Sequence, residues 1–259
     1  MGFEGKRNIV VTTSRGGKGG PPARLIELAS KVAEELGGVY IPRKSVSIGE
    51  DPETYYIVVR EDKIICRHRG SEFFWHPSTA KIRIGDPWRD PMVEAMGLME
   101  GDWVLDCTLG KGSDAIVISY VVGERGRVVG VEIVPIIAYL VRIGLRTYED
   151  ENGKLVEAMR RIEVVNADHR EYLASLEDKS FDIVYFDPFF PVPIKGATHM
   201  EPLRALGFKG DVDEETIEEA LRVSRRRVVM KRRADEIPPP WVKEVVRGSR
   251  SSIAFWIIK

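Results

Sequence analysis

Five consecutive residues, Asp187-Pro188-Phe189-Phe190-Pro191, put a carboxylate, two prolines and two adjacent aromatic rings at one point of the chain. They follow FDIVYF, an apolar run whose composition predicts a strand. At the carboxyl end of a strand such residues form a flat ledge with an acceptor at its edge. A planar group bearing an exocyclic NH₂ would stack on the rings and donate to Asp187. Chemistry at such a nitrogen is done by positioning, because its lone pair is delocalised and must be aimed. The plainer reading is a strand end with core aromatics, and one of the two Phe side chains is expected in the core.

A second constellation lies upstream. Asp106-Cys107-Thr108-Leu109-Gly110-Lys111-Gly112-Ser113-Asp114-Ala115 follows a predicted strand and opens a predicted helix. Gly110 and Gly112 permit a sharp turn and close approach of a ligand to the backbone. Alone, that spacing is also met in ordinary strand-to-helix turns. Glu132 ends the next predicted strand, 20 residues past Gly112. An acid there can accept from both hydroxyls of a ribose. Asn166-Ala167-Asp168 ends the strand after that, where Asp168 can accept from an adenine amino group or cap the following helix. The joint spacing points to a nucleoside cofactor.

Other residues carry less. His68, His76, His169 and His199 show no HxH or HExxH spacing, so no metal site is expected. His76-Pro77 reads as a strand end or as the edge of a substrate entrance. Neither Cys66 nor Cys107 sits in the Pro-Cys context of a thiolate nucleophile. Arg225-Arg226-Arg227 and Lys231-Arg232-Arg233 bracket three apolar residues, as either a phosphate-contacting cluster or a solvated rim.

The elements that must position these groups fall into two units. Residues 1 to 84 predict a small α+β domain. Its parts are a strand at Ile9-Val10-Val11, a Gly-rich turn, a helix over 23–36, a strand at GVYIP and a hairpin made by YYIVV and KIICRH. From residue 85 to 259, a helix over 90–98 leads into alternating strands and helices, the pattern of a mostly parallel sheet covered on both faces. The tail, VKEVVRGSRSSIAFWIIK, predicts a terminal antiparallel hairpin.

Composition bounds the rest. The chain has 259 residues, 43% of them hydrophobic, which is enough for one large or two unequal domains. Its 39 Lys+Arg nearly balance 40 Asp+Glu, so no globally basic nucleic-acid binder is implied, though local basic patches stay open. Two cysteines exclude a disulfide framework. No secretory signal and no membrane span is read, so a cytoplasmic protein is expected. There is no Gln and only three Asn, and Arg exceeds Lys by 25 to 14, a thermophile habit.

Taken together, residues 85–259 resemble the class I S-adenosylmethionine (SAM)-dependent methyltransferases. That resemblance implies a Rossmann-like seven-stranded sheet and SAM as cofactor, contacted by Asp106, Thr108, Gly110, Gly112, Asp114, Glu132 and Asp168. DPFFP resembles the (D/N)PP(Y/F) motif of amino-methyltransferases, which makes Asp187, Pro188, Phe189 and Phe190 the catalytic candidates; Phe189 replaces the usual second proline. DCTLGKGSDA with DPFFP and the downstream Lys195 is similar to the small-subunit ribosomal RNA guanine-N2 methyltransferases, which implies ribosomal RNA as partner. Thr12-Thr13-Ser14-Arg15, the helix carrying Glu27-Leu28-Ala29 and Tyr40-Ile41-Pro42-Arg43 resemble the start of Brix-type ribosome-biogenesis proteins, which makes Arg15 a candidate RNA contact. Same-fold rivals are methylation of DNA adenine or a protein amide. Rivals of other classes are an NAD-dependent oxidoreductase and a non-catalytic RNA-binding module. Oligomeric state is left open.

Overall fold

The computed structural model describes residues 8–188, 212–248 and 252–259. They form two compact units, which divide between Trp75 and His76.

The first unit holds a five-stranded sheet in the order β2-β1-β3-β4-β5, with β1 Ile9–Thr13, β2 Val39–Tyr40, β3 Tyr55–Val59, β4 Ile64–His68 and β5 Ser71–Phe74. β1 pairs in parallel with both β2 and β3, while β3, β4 and β5 run antiparallel. Helix α1, Ala23–Glu35, lays Leu25, Ala29, Val32 and Ala33 on this sheet, at the i, i+4, i+7, i+8 spacing of one helical face. Arg15 is exposed in the Gly-rich turn after β1.

The second unit is built on a seven-stranded sheet. Its strands are β6 Trp103–Asp106, β7 Arg127–Glu132, β8 Ile162–Asn166, β9 Phe181–Phe186, β10 Ser224–Arg233, β11 Glu244–Arg247 and β12 Ile253–Ile257. The spatial order is β11-β12-β10-β9-β6-β7-β8, parallel from β10 to β8, with β12 and β11 antiparallel at one side. Strand order reverses between β6 and β9, which puts a switch point at their carboxyl ends, where open α/β sheets hold ligands. The centre is apolar on both faces: in β9 every side chain but Asp182 is buried.

The helices of this unit are α2 Ser78–Arg83, α3 Pro91–Met96, α4 Ser113–Val122, α5 Pro135–Thr147, α6 Gly153–Arg160, α7 His169–Ala174 and α8 Glu214–Val223. Two were not predicted. α6 is short, but the Asn152 side chain caps it by accepting from the Leu155 N–H at 3.2 Å, and Leu155, Ala158 and Met159 share its buried face. α2 has six residues, too few for periodicity to show. It packs on α4, within the second unit, whereas its sequence position had put it in the amino-terminal domain. β10 also runs further than the predicted RRVVMK, with a register shift against β9 between Ser224 and Arg227.

Candidate active site at the switch point

The glycine motif forms the turn between β6 and α4. Gly110 and Gly112 hold φ of +51° and +73°, backbone that L side chains rarely adopt, and Gly112 sits at the amino end of α4. The Leu109 N–H donates to the Val131 carbonyl at 2.9 Å, tying the turn to β7. At the end of β7, Glu132 is 8% exposed. It accepts from the Gly110 N–H at 3.1 Å and from the Val134 N–H at 2.8 Å. Burial outweighs those two bonds and pushes its carboxyl up to about 7. The glycine turn and the expected ribose acid are thus in direct contact.

Asp106 and Asp114 flank the same turn, and both are buried. Asp106 accepts from the Thr108 N–H at 3.0 Å. Burial, reinforced by the charge of Asp114, pushes its carboxyl well above the usual range. The Thr108 hydroxyl accepts from the Asp187 N–H at 2.5 Å, so the glycine motif is bonded to the DPFFP motif across the switch point.

Asp187 closes β9, with Pro188 buried behind it. One of its carboxylate oxygens accepts from Lys231 Nζ at 2.8 Å. Lys231 also donates to Asp114 at 3.2 Å. Asp114 further accepts from the Tyr185 hydroxyl at 2.8 Å and pairs with Arg83, which reaches back to Asp90 at 2.6 Å. A continuous chain of charge therefore runs Asp90, Arg83, Asp114, Lys231, Asp187 through the α3 N-cap, α2, α4, β10 and the end of β9.

Burial disfavours the ions of Arg83, Asp114, Lys231 and Asp187, and opposite charges beside them counter it. For Asp114, Lys231 and Arg83 prevail and hold its carboxyl below the usual range. Burial works against the Lys231 ammonium, but Asp114 and Asp187 more than offset it and raise its pKa. For Asp187, burial raises the carboxyl, Lys231 pulls it back and Asp114 adds to the rise.

Lys231 and Arg83 escaped the sequence reading. Lys231 lies neither on a solvated rim nor in a phosphate-contacting cluster, because its side chain is only 20% exposed and faces two acids. Of the other basic residues, Arg226 pairs with Asp102 at 2.5 Å and Arg227 donates to the Ala95 carbonyl at 2.5 Å. Asp168 follows β8, two residues past Asn166, whose side-chain amide donates to the Glu132 carbonyl at 2.7 Å. Asp168 caps α7 by accepting from the Arg170 N–H at 2.9 Å and is gripped by the Arg170 guanidinium at 3.0 and 2.5 Å. Phe189, Phe190, Pro191, Lys195 and His199 lie outside the described residues. Burial, together with the charge of Asp106, pushes the Cys107 thiol well up, so it offers no thiolate at neutral pH. Among the described residues, no group of three or more His, Cys, Asp or Glu could hold a metal ion, and no helix is long and apolar enough to cross a membrane.

An open parallel sheet with an acid-lined glycine turn at its switch point defines a nucleoside-cofactor enzyme of the α/β class. The family model described as "Putative SAM-dependent methyltransferase" matches residues 72–241, and the chain belongs to that family. Its cofactor is S-adenosylmethionine. The chain is 40% identical over 220 residues to "Uncharacterized protein YpiP" of Bacillus subtilis, covering 82% of this chain and 85% of that one. It is 29% identical over 255 residues to "Ribosomal RNA small subunit methyltransferase J" of Coxiella burnetii, covering 92% and 94%. In fold it resembles the crystal structure of a SAM-dependent methyltransferase from Neisseria gonorrhoeae, with a TM-score of 0.66 at 19% identity over 96% of this chain and 95% of that one.

Proposed function

We propose that this methyltransferase modifies an exocyclic amino group of RNA, namely guanine N2 of small-subunit ribosomal RNA. The observation that carries the reading is Asp187. It stands at the end of β9, bonded through its N–H to the glycine turn and through one oxygen to Lys231, with its other oxygen unmatched among the described residues. Support for ribosomal RNA comes from the near full-length similarity to proteins named as ribosomal RNA small subunit methyltransferase J.

The donor set fits the cofactor. Glu132 is a buried carboxylate with too few donors for its charge, and a ribose diol supplies two more. Asp106 is a buried carboxylate without a direct cationic partner among the described residues, suited to the ammonium of the methionine moiety. Gly110 and Gly112 shape the turn between them, and Thr108 and Asp114 join it to the acceptor side. Asp168 is assigned to the adenine end, where Arg170 must share it.

When bound, the cofactor presents a methyl group made electrophilic by its sulfonium. Asp187 accepts from the substrate NH₂ and aims the nitrogen lone pair. Lys231 keeps the Asp187 carboxylate in one orientation and opposes its protonation. Phe189 or Phe190 is assigned to stack the base, which has to leave any helix to reach the site. Transfer needs no strong base beforehand, because the proton can leave the methylated nitrogen afterwards. Lys195 and Arg15 are assigned to the RNA, and the amino-terminal domain with Arg15 to its capture.

The test is transfer of tritiated methyl from SAM to unmodified ribosomal RNA, transfer RNA, DNA and protein fractions, with the labelled nucleoside identified by digestion. Label in N2-methylguanosine of small-subunit RNA is expected. Label confined to DNA adenine or to a protein amide would move the substrate, and SAM binding without transfer to any fraction would leave a non-catalytic module.

A further inference from the structure

We infer that a cleft in the second unit, between the α2–α3 segment and strands β10 and β12, receives the acceptor nucleotide of a single-stranded RNA. One face of the base lies against Phe255, beside the rim formed by Ile82, and its phosphate lies on Arg89. This inference rests on the reading of Asp187 given above and adds the surface by which the substrate reaches it.

The cleft measures about 460 Å³, within the range of small-ligand sites. Its lining combines apolar side chains with five charged ones, two of them the carboxylates of Asp86 and Asp90. Phe255 and Ile253 come from β12, with Phe255 only 5% exposed, and Ile82 comes from α2 with 81% of its surface exposed.

Among the charged groups of the cleft, Lys231 is the one that reaches Asp187. An ammonium has three hydrogens to donate, and in Lys231 two go to Asp187 and Asp114. The third is unmatched among the described residues. Beside it, Asp187 remains an acceptor. A donor next to an acceptor complements a base edge that carries NH₂ beside a ring nitrogen or carbonyl oxygen, which is the kind of edge the proposed reaction consumes.

The mouth of the cleft carries Arg89. Its ion pair with Asp86 at 3.1 Å is solvent-exposed on both sides, at 88% and 55%, so it holds the guanidinium weakly. A phosphate offers the same fork a stronger, bidentate partner. Arg83, also at the cleft, is spent on Asp90 and Asp114 and contributes charge rather than a contact.

The experiment measures binding of a fluorescently labelled, guanosine-containing single-stranded RNA oligonucleotide by anisotropy. It uses the full chain with S-adenosylhomocysteine present. Ile82→Asp and Arg89→Glu are the variants, chosen because both positions are exposed and tolerate change. Each should weaken RNA binding roughly five- to tenfold. Arg89→Glu should also lower the salt dependence by about one phosphate contact. SAM affinity should stay at the native value in both. Native RNA affinity in both variants, or no RNA binding by the native chain, overturns the cleft. Methyl transfer measured alongside separates the two claims. RNA held through the cleft but never methylated sinks the reaction and leaves the cleft standing. RNA methylated with native KM by both variants sinks the cleft and leaves the reaction standing.

Discussion

At the scale of single residues, Glu132 links the cofactor site to pH. Its carboxyl sits at about 7 in the folded chain, above the ordinary 4.5, because burial outweighs two backbone bonds. Ribose hydroxyls favour the ionised form. SAM affinity should therefore be flat above pH 8 and fall by up to about tenfold per pH unit below 7, read by calorimetry. Glu132→Ala should lose tenfold or more in affinity at pH 8 and show no such slope. Stability moves the other way. Between pH 4.5 and 7 the unfolded chain has released this proton and the folded chain has not, so stability without SAM falls as pH rises through that window. Glu132→Gln should lack this component, which amounts to roughly 3 kcal/mol at most. How far such residues can be read from sequence depends on where their partners lie. Glu132 and Gly110 are found by a spacing rule because one helix and one strand, α4 and β7, connect them. Lys231 is hidden, since its partners Asp187 and Asp114 stand 44 and 117 positions away. Its neighbours Arg232 and Arg233 also made the segment look like a charged rim.

At the scale of elements, the strands were legible wherever an apolar run had turn residues at its ends. The mostly parallel sheet followed from repeated βα units, and its seven strands from the resemblance. What stayed hidden was short. α2 occupies one and a half turns, yet it carries Arg83 into the acid cluster and couples Asp90 at the α3 N-cap to Asp114 on α4. Without Arg83, Asp114 keeps Lys231 as its cation and the Tyr185 hydroxyl as a donor, and Asp90 loses its ion-pair partner. Arg83→Met should therefore destabilise the second unit by about 3 kcal/mol, the lower end for breaking a buried pair, in denaturant unfolding at pH 7. Loss of less than about 1 kcal/mol would show that α2 docks through apolar packing and that the ion chain is incidental.

At the scale of the whole molecule, a net charge of −1 leaves no general attraction for RNA, so capture has to come from local cations. The amino-terminal unit offers Arg15 and Lys18 exposed on the turn after β1. Charge reversal of both, Arg15→Glu with Lys18→Glu, should lower RNA affinity severalfold and reduce its salt slope while SAM affinity stays at the native value. Unchanged RNA affinity at equal salt would make that unit a structural one.

The account turns most on Asp187. In the full chain, Asp187→Ala should bind SAM within about threefold of the native affinity, because the glycine turn, Glu132 and Asp106 remain. Its single-turnover methyl transfer to small-subunit RNA should fall by about two orders of magnitude or more, the usual worth of a positioned hydrogen-bonding group in a transition state. Transfer at the native rate by a variant that binds SAM normally would contradict the assignment of Asp187 as the group that aims the amine.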